Sequence, residues 1–318
     1  MKTTHIFLIF LFCAGLISSG NAWSTDDADL SSTDERHLGG HAFMPSQYID
    51  DPFIGSHYTS RVGAAKAVSI TRDIKDLDGN HLVTIEGSVM FASLGMTYQQ
   101  QLGQKWAVGA GGSALVRSGT NALSFIHDGA NVTTSQYLWA KRLLHRGEKS
   151  QLTTGLTWKY STATLFTPYE FGLHIADGGS LSDAPLVLDA KVWALQADFL
   201  WAHAFNSTYA LRVNGNFGVV EDMQSSGVLL ANHRVSVMGE VDFKSRHDVP
   251  VGLTLGTFHG FPSERISSGL SGYLLGFWYT GKESFVVGVE TGWMNFPVAD
   301  GSESIDGVFG VFNIKYYF

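Results

Sequence analysis

The chain has 318 residues, 16% of them charged and 44% apolar, with 36 glycines, one cysteine and a formal net charge of −8. Low charge with abundant aromatics is the opposite of a disordered chain, a single cysteine excludes a disulfide scaffold and a multi-cysteine zinc site, and the negative balance argues against a nucleic-acid partner, which needs a basic footprint. An ordinary soluble protein covers its surface with charge, and this composition provides too little for that.

Residues 1–22 read as an address. Met1-Lys2 precedes an apolar run from Ile6 to Ile17 and the small-residue end Gly20-Asn21-Ala22, the pattern of a secretory signal peptide cleaved after Ala22. The run is too short for a transmembrane helix, and the bulky Phe12 before Cys13 is unlike a lipoprotein processing site. No later run is long and apolar enough for a spanning helix.

Residues 23–55 show neither a period of 2 nor of 3.6. The segment starts acidic, with Asp26, Asp27, Asp29, Asp34 and Glu35, and continues through His37 to Pro45 and Ile49-Asp50-Asp51-Pro52-Phe53. It reads as an irregular lead segment. His37 and His41, four apart, read as solvated residues or plug contacts rather than metal ligands.

From about Ser56 to Phe318 the period is 2. In Tyr209 to Phe217, Tyr, Leu, Val, Gly and Phe alternate with Ala, Arg, Asn and Asn; Leu229 to Phe243 and Phe285 to Trp293 behave the same way. These are strands with one apolar face and one polar or small face. Short polar turns fall at Gly103-Gln104-Lys105, His145 to Lys149, Asn206-Ser207, Lys244 to Asp248 and Gly281 to Glu283. Longer loops fall at Asp73 to Asn80, Ser118 to Ala130, Thr167 to Pro185, Glu221 to Gly227, Gly260 to Ser268 and Pro297 to Ser304. The alternation predicts about twelve antiparallel strands in an all-β, up-and-down transmembrane β-barrel with both termini on the short-turn side. The first two strands, Ser60 to Ile70 and Leu82 to Leu102, alternate poorly, and Glu86-Gly87-Ser88 marks a bulge or loop. Aromatics gather beside the short turns (Tyr98, Trp106, Trp139, Phe205, Tyr209, Phe243, Tyr279, Phe285) and the long loops (Phe166, Trp193, Phe261, Trp293, Phe296), as two interfacial girdles would. Asp76-Leu77-Asp78-Gly79-Asn80 reads as a tight turn before a calcium loop.

The chain ends on Phe318, with Tyr316, Ile314, Phe312, Gly310 and Val308 on the same face. This resembles the terminal strand of Gram-negative outer-membrane β-barrels. The resemblance implies an outer-membrane location, contact with outer-membrane lipids, and reading of Phe318, Tyr316 and Ile314 by the barrel assembly machinery. Size, strand number and the Asp51-Pro52-Phe53 segment also resemble the small outer-membrane transporters grouped with the meta-pathway phenol-degradation proteins and, more distantly, the long-chain fatty-acid channel family. That likeness implies a small, hydrophobic or aromatic solute.

Placing the apolar face toward lipid leaves Lys159, Asp198, Arg212, Asn214, Arg234, Glu240, Asp242, Glu290 and Lys315 lining the lumen. Arg212 and Asp198 are expected one diagonal step apart, and Glu290 and Lys315 on strands joined by the last long loop. These charges either line a conduit and set its selectivity or act as paired struts in a filled lumen, since twelve strands lie between the filled and the open sizes. Inward glycines (Gly109, Gly111, Gly252, Gly256, Gly276, Gly288) leave room for a conduit. Phe43, Met44, Ile49 and Phe53 are expected to pack inside it as a plug at the periplasmic mouth. No catalytic constellation is readable: there is no His-x-Ser, and His233 and Ser236, three apart, point to opposite faces. No metal or other cofactor is expected. The expected function is an outer-membrane transporter or channel for a small-molecule solute. The alternatives are a structural or surface-interaction barrel and, further off, a lipid-modifying enzyme.

Overall fold

The computed structural model describes residues 36–67, 70–75, 81–180, 186–222, 227–261, 270–297 and 304–318. The expected signal peptide of residues 1–22, the acidic stretch before Arg36 and the turn expected at Asp76–Asn80 lie outside them.

Twelve strands close into one barrel. They are β3 (His57–Ala67), β6 (Val89–Leu102), β7 (Trp106–Gly119), β8 (Ala130–Arg146), β9 (Ser150–Phe166), β10 (Val187–Ala204), β11 (Tyr209–Glu221), β12 (Leu229–Asp242), β13 (Val251–Phe261), β14 (Ser271–Lys282), β15 (Phe285–Pro297) and β16 (Ser304–Tyr317). Each pairs antiparallel with the next, and β16 closes on β3 from Gly307↔Ala67 to Tyr317↔His57. In lipid this closure is obligatory, because an open edge would leave backbone N–H and C=O groups without partners. The terminal Phe318 N–H donates to the Ser56 carbonyl at 3.2 Å, so both ends of the barrel meet on the short-turn side.

The alternation read from the sequence is the alternation of the wall. Leu255, Tyr273, Phe277, Val308, Phe312 and Tyr316 point outward and are exposed, whereas Thr254, Leu274, Trp278, Phe309, Asn313 and Lys315 point inward and are buried. Most of the aromatics placed beside the turns face outward as girdles. Trp139 does not: it lies on the inner face of β8 and donates to Gln99 Oε1 at 3.2 Å. It shares parity with Tyr137 and Lys141, so alternation and not nearness to a turn decides its face.

Four other features depart from the sequence reading. The poorly alternating first hairpin is two hairpins: β3 with β6 in the wall, and β4 (Ile70–Lys75) with β5 (His81–Gly87) as a separate two-stranded sheet, the break falling at Ser88. The loop after β7 contains α1 (Ala122–Asp128), capped by Asn121, whose side chain accepts from the Ser124 N–H at 2.8 Å while Ser124 Oγ accepts from the Asn121 N–H at 3.1 Å. The loop after β9 contains α2 (Pro168–Ala176), started by proline at its first position. The turn at Lys244 is itself one helical turn, α3 (Lys244–His247).

The hydrophobic core is inside the barrel and is built jointly by wall and lead segment. Ile49 packs with Met238, Phe258, Leu274, Met294, Phe309 and Val311. Phe43 and Phe53 pack with Leu38, Ala202, Ala204 and Ala210, and Met44 packs with Trp278 and Val286.

Candidate functional site

The lead segment enters the lumen from the short-turn end, rises to Tyr48 and Ile49, and returns to β3. Its first turn is a two-residue ladder, β1 (His37–Leu38) with β2 (His41–Ala42). Gly39 and Gly40 between them have φ of 55° and 81°, the left-handed region that glycine enters without strain. The Gly39 N–H donates to the Glu148 carbonyl in the turn between β8 and β9 at 2.7 Å. Arg36 donates to the Lys282 carbonyl at 3.1 Å and lies over the Tyr317 ring at 5.2 Å.

Above this turn the barrel wall holds the segment's backbone through charged groups. Glu240 Oε2 accepts from the Met44 N–H at 2.7 Å, its Oε1 accepts from Arg212 Nε at 2.5 Å, and Arg212 donates to the Met44 carbonyl. One buried ion pair thus satisfies both sides of Met44. Glu290 accepts from Ser46 Oγ and from the Gln47 N–H, both at 3.0 Å. Tyr48 stacks on Phe258 at 5.0 Å between ring centres and meets Phe309 edge-on at 5.0 Å.

The return limb is held as closely. Asn214 donates to the Asp50 carbonyl at 2.6 Å, and the Asp50 carboxylate lies 3.8 Å from Arg234. Asp51 lies between two ammonium groups, Lys315 at 2.5 Å and Lys141 at 3.6 Å. Burial pushes the Asp51 carboxyl up, but the two lysines outweigh it and hold the group well below the ordinary carboxylate range. Gln151 and Thr153 donate to the Pro52 carbonyl at 2.7 and 2.6 Å. Gln99 donates to the carbonyls of Phe53 and Gly55 at 3.1 and 2.9 Å.

All nine expected lumen residues lie on the inner face, in three groups. Arg212, Asn214, Glu240, Glu290 and Lys315 touch the lead segment. Asp242 sits at the short-turn end, accepting from the Lys244 N–H at 3.0 Å and Thr280 Oγ1 at 3.2 Å. Lys159, Asp198 and Arg234 line open space, Arg234 also facing the Asp50 carboxylate of the lead segment. The expected nearness of Arg212 and Asp198 does not occur: Arg212 stands opposite Ala202 and Asp198 opposite Asn216, a separation of two diagonal steps. Arg212 pairs with Glu240 instead, and Asp198 accepts from Gln196, Asn216 and Thr157. Glu290 and Lys315 likewise each meet the lead segment. The room beside the inward glycines is also taken. A Cβ on Gly252 would lie 2.2 Å from Met44 Cε, and one on Gly256 2.9 Å from Ile49 Cδ1. Phe43, Met44 and Ile49 are each 1% exposed and Phe53 4%.

Sequence reasoning missed Gln99, Lys141, Gln151 and Thr153. Each is a polar residue on the inner face of β6, β8 or β9, so the alternation test applied to those strands would have found them.

Between the lead segment and the long-loop end the lumen opens into a cavity of about 810 Å³. It runs beside β3 and β6 to β10, where small hydroxyl residues such as Ser93, Ser113, Thr133 and Ser135 line it, and it reaches Phe261 and Leu270 near the long loops. The opposite half, around β12 to β16, is filled by the cluster that packs on Ile49. The barrel is therefore filled on one side and open on the other.

The sequence matches no protein-family model, and no curated protein sequence matches it. Solved structures match the fold. The COG4313 outer membrane channel from Pseudomonas putida F1 superposes with a TM-score of 0.52 at 13% identity, over 86% of this chain and 100% of that one. The translocator domain of the autotransporter NalP from Neisseria meningitidis gives 0.50 at 10% identity, over 85% and 91%. The Pseudomonas putida toluene transporter TodX gives 0.44 at 10% identity, over 92% and 99%. The fold is that of Gram-negative outer-membrane β-barrels.

Proposed function

We propose that this chain is an outer-membrane channel for small solutes with an apolar, often aromatic, body, closed at its short-turn mouth by residues 36–56. The observation that carries the reading is the cavity of about 810 Å³ inside a closed barrel, walled by strands and floored by the lead segment. A volume of this size suits a small molecule. Solute enters from the long-loop end, and passage onward requires the lead segment to shift. The shared fold of the COG4313 outer membrane channel supports this reading. In it, residues 1–22 direct export, the short turns face the periplasm, and the outward row ending in Phe318 serves assembly into the membrane.

The experiment is reconstitution in planar bilayers of the mature chain and of a chain lacking residues 23–53. The mature chain should conduct weakly and the truncated chain strongly. If neither conducts or passes solute, the channel reading is wrong. The half of the lumen packed around Ile49 is what a sealed structural barrel would also contain, and silence of the truncated chain would favour that second reading.

A further inference from the structure

The cavity carries an unbalanced charge. Five cationic side chains line it (Arg61, Lys141, Lys159, Arg234, Lys315) against three carboxylates (Asp50, Asp51, Asp198), so 5 − 3 leaves a formal +2 in a chain whose overall balance is −8. The carboxylates are largely engaged. Asp51 is taken by Lys315 and Lys141. Asp198 accepts hydrogen bonds at 2.7, 2.8 and 2.8 Å from Gln196, Asn216 and Thr157. Glu290, below the cavity, is held by Ser46 and Gln47. Only Asp50 remains, with a side chain 52% exposed and 3.8 Å from Arg234.

The cations on the open side are correspondingly under-used. Arg61 makes one long bond, 3.4 Å to the Ser46 carbonyl, and its buried Nε has no hydrogen-bond partner. Lys159 has no ion-pair or hydrogen-bond partner among the described residues, and its electrostatic neighbour is another cation, Arg234. These side chains face the open space of the cavity, Lys159 the most exposed of the three and Arg61 and Arg234 half-buried, and the low-dielectric wall focuses their positive field there. That field attracts an anion. The same cavity has an apolar wall in Tyr48, Met294, Phe309 and Leu270, with the Tyr48 ring fixed between Phe258 and Phe309.

We infer that the cavity binds small organic anions, an aromatic or aliphatic body carrying a carboxylate, with the acid group among Arg61, Lys159 and Arg234 and the body against the Tyr48 wall. The inference rests on the channel reading for the solute's route, though not for the existence of the site. It narrows the solute from hydrophobic in general to amphiphilic and acidic. Guanidinium groups donate to a carboxylate through a bidentate fork and the lysine adds a mobile point charge.

The test is calorimetric binding to the full mature chain in detergent micelles, with benzoate, benzyl alcohol and benzylammonium as probes of matched size and different charge. Benzoate should bind at least 10-fold more tightly than benzyl alcohol, and benzylammonium should not bind. Lys159→Gln and Arg234→Gln should each bring the benzoate-to-benzyl-alcohol ratio down by about 10-fold. The parent protein alone decides the matter even if a variant fails to fold. Equal affinity for benzoate and benzyl alcohol, or no binding of benzoate, overturns the inference. So does an unchanged ratio in both folded variants. Liposome permeation with the same probes separates this from the channel reading. Binding of benzoate with no permeation of any probe refutes the channel and keeps the anion site. Permeation of benzyl alcohol with no preference for benzoate in binding refutes the site and keeps the channel.

Discussion

Asp51→Asn should loosen the lead segment by a calculable amount. The substitution keeps the volume and removes the carboxylate bonded to Lys315, whose side chain is 4% exposed, and to Lys141, whose side chain is 13% exposed. Removing one partner of a buried pair costs about 3–5 kcal/mol, because the other charge stays buried without compensation. The lower end applies here, since Asp51 is itself 13% exposed and Lys141 keeps the Asp51 carbonyl at 2.9 Å. About 3 kcal/mol of lost docking energy multiplies the undocked fraction roughly 100-fold, at 1.4 kcal/mol per factor of ten. A cysteine placed at Ala42, 5% exposed, in a chain with Cys13→Ser reports that fraction through its rate of maleimide labelling. The rate should rise by about two orders of magnitude in Asp51→Asn with the far-UV strand signal unchanged. Adding Lys315→Met should recover most of the loss, because an apolar residue of similar volume does not need the carboxylate. A labelling rate in Asp51→Asn within about threefold of the parent would show that the pairing of Asp51 with Lys315 and Lys141 does not hold the segment.

Three other outcomes are expected. The Asp51 carboxyl is held well below its ordinary value in the folded protein, so its contribution is fully present above the unfolded value of about 3.9 and disappears as pH falls through the folded value; labelling at Ala42→Cys, expressed relative to a free thiol at the same pH because maleimide reacts with the thiolate, should stay flat from neutral pH down to about 4 and rise only in stronger acid. Gly256→Val places atoms where Ile49 Cδ1 sits, 2.9 Å from the ideal Cβ, so the same labelling rate should increase about 5- to 100-fold, corresponding to an overpacking cost of about 1–3 kcal/mol. Leu255 is 67% exposed on the outer face, and Leu255→Arg should lower barrel stability in lipid by about 2–4 kcal/mol if it lies near the bilayer midplane, read by denaturant titration in vesicles; an effect below about 0.5 kcal/mol would contradict its contact with lipid.

The wall was largely legible from β11 to β16 because each strand there alternates large apolar residues with polar or small ones. It was poorly legible in β3 and β6, where Gly63-Ala64-Ala65 and Ala92-Ser93 put small residues on both faces and erase the contrast that a period-2 reading depends on. The helices α1 and α2 were hidden for a different reason. Each is only two to three turns long, and its signal is a capping pattern rather than a period. For the lumen, alternation identifies the face of a side chain but not its partner. Arg212, Glu290 and Lys315 face inward, yet each also reaches a partner in a segment with no period at all. The pairing of Asp51 with Lys315 crosses 264 positions, and nothing local records it. The inward glycines were misread for the same reason: a missing side chain says that something fits there, not whether it is water, solute or the protein's own Met44 and Ile49.

The lead segment has a further consequence for the order of events in folding. It is the earliest part of the described chain to be synthesised, but the groups that fix it come late, with Glu240 and Glu290 at separations of 196 and 244 residues and Lys315 at 264. Loops of that length are slow to close, and each further doubling adds only about 0.6 kcal/mol of entropic cost. The closed barrel brings these groups into position, with β16, the last strand, pairing with β3. Docking of residues 36–56 therefore cannot be completed until the last strand is in place. A seated lead segment is a certificate that the ring is whole, and an incomplete barrel would carry that segment loose, accessible to the proteases of the compartment it faces.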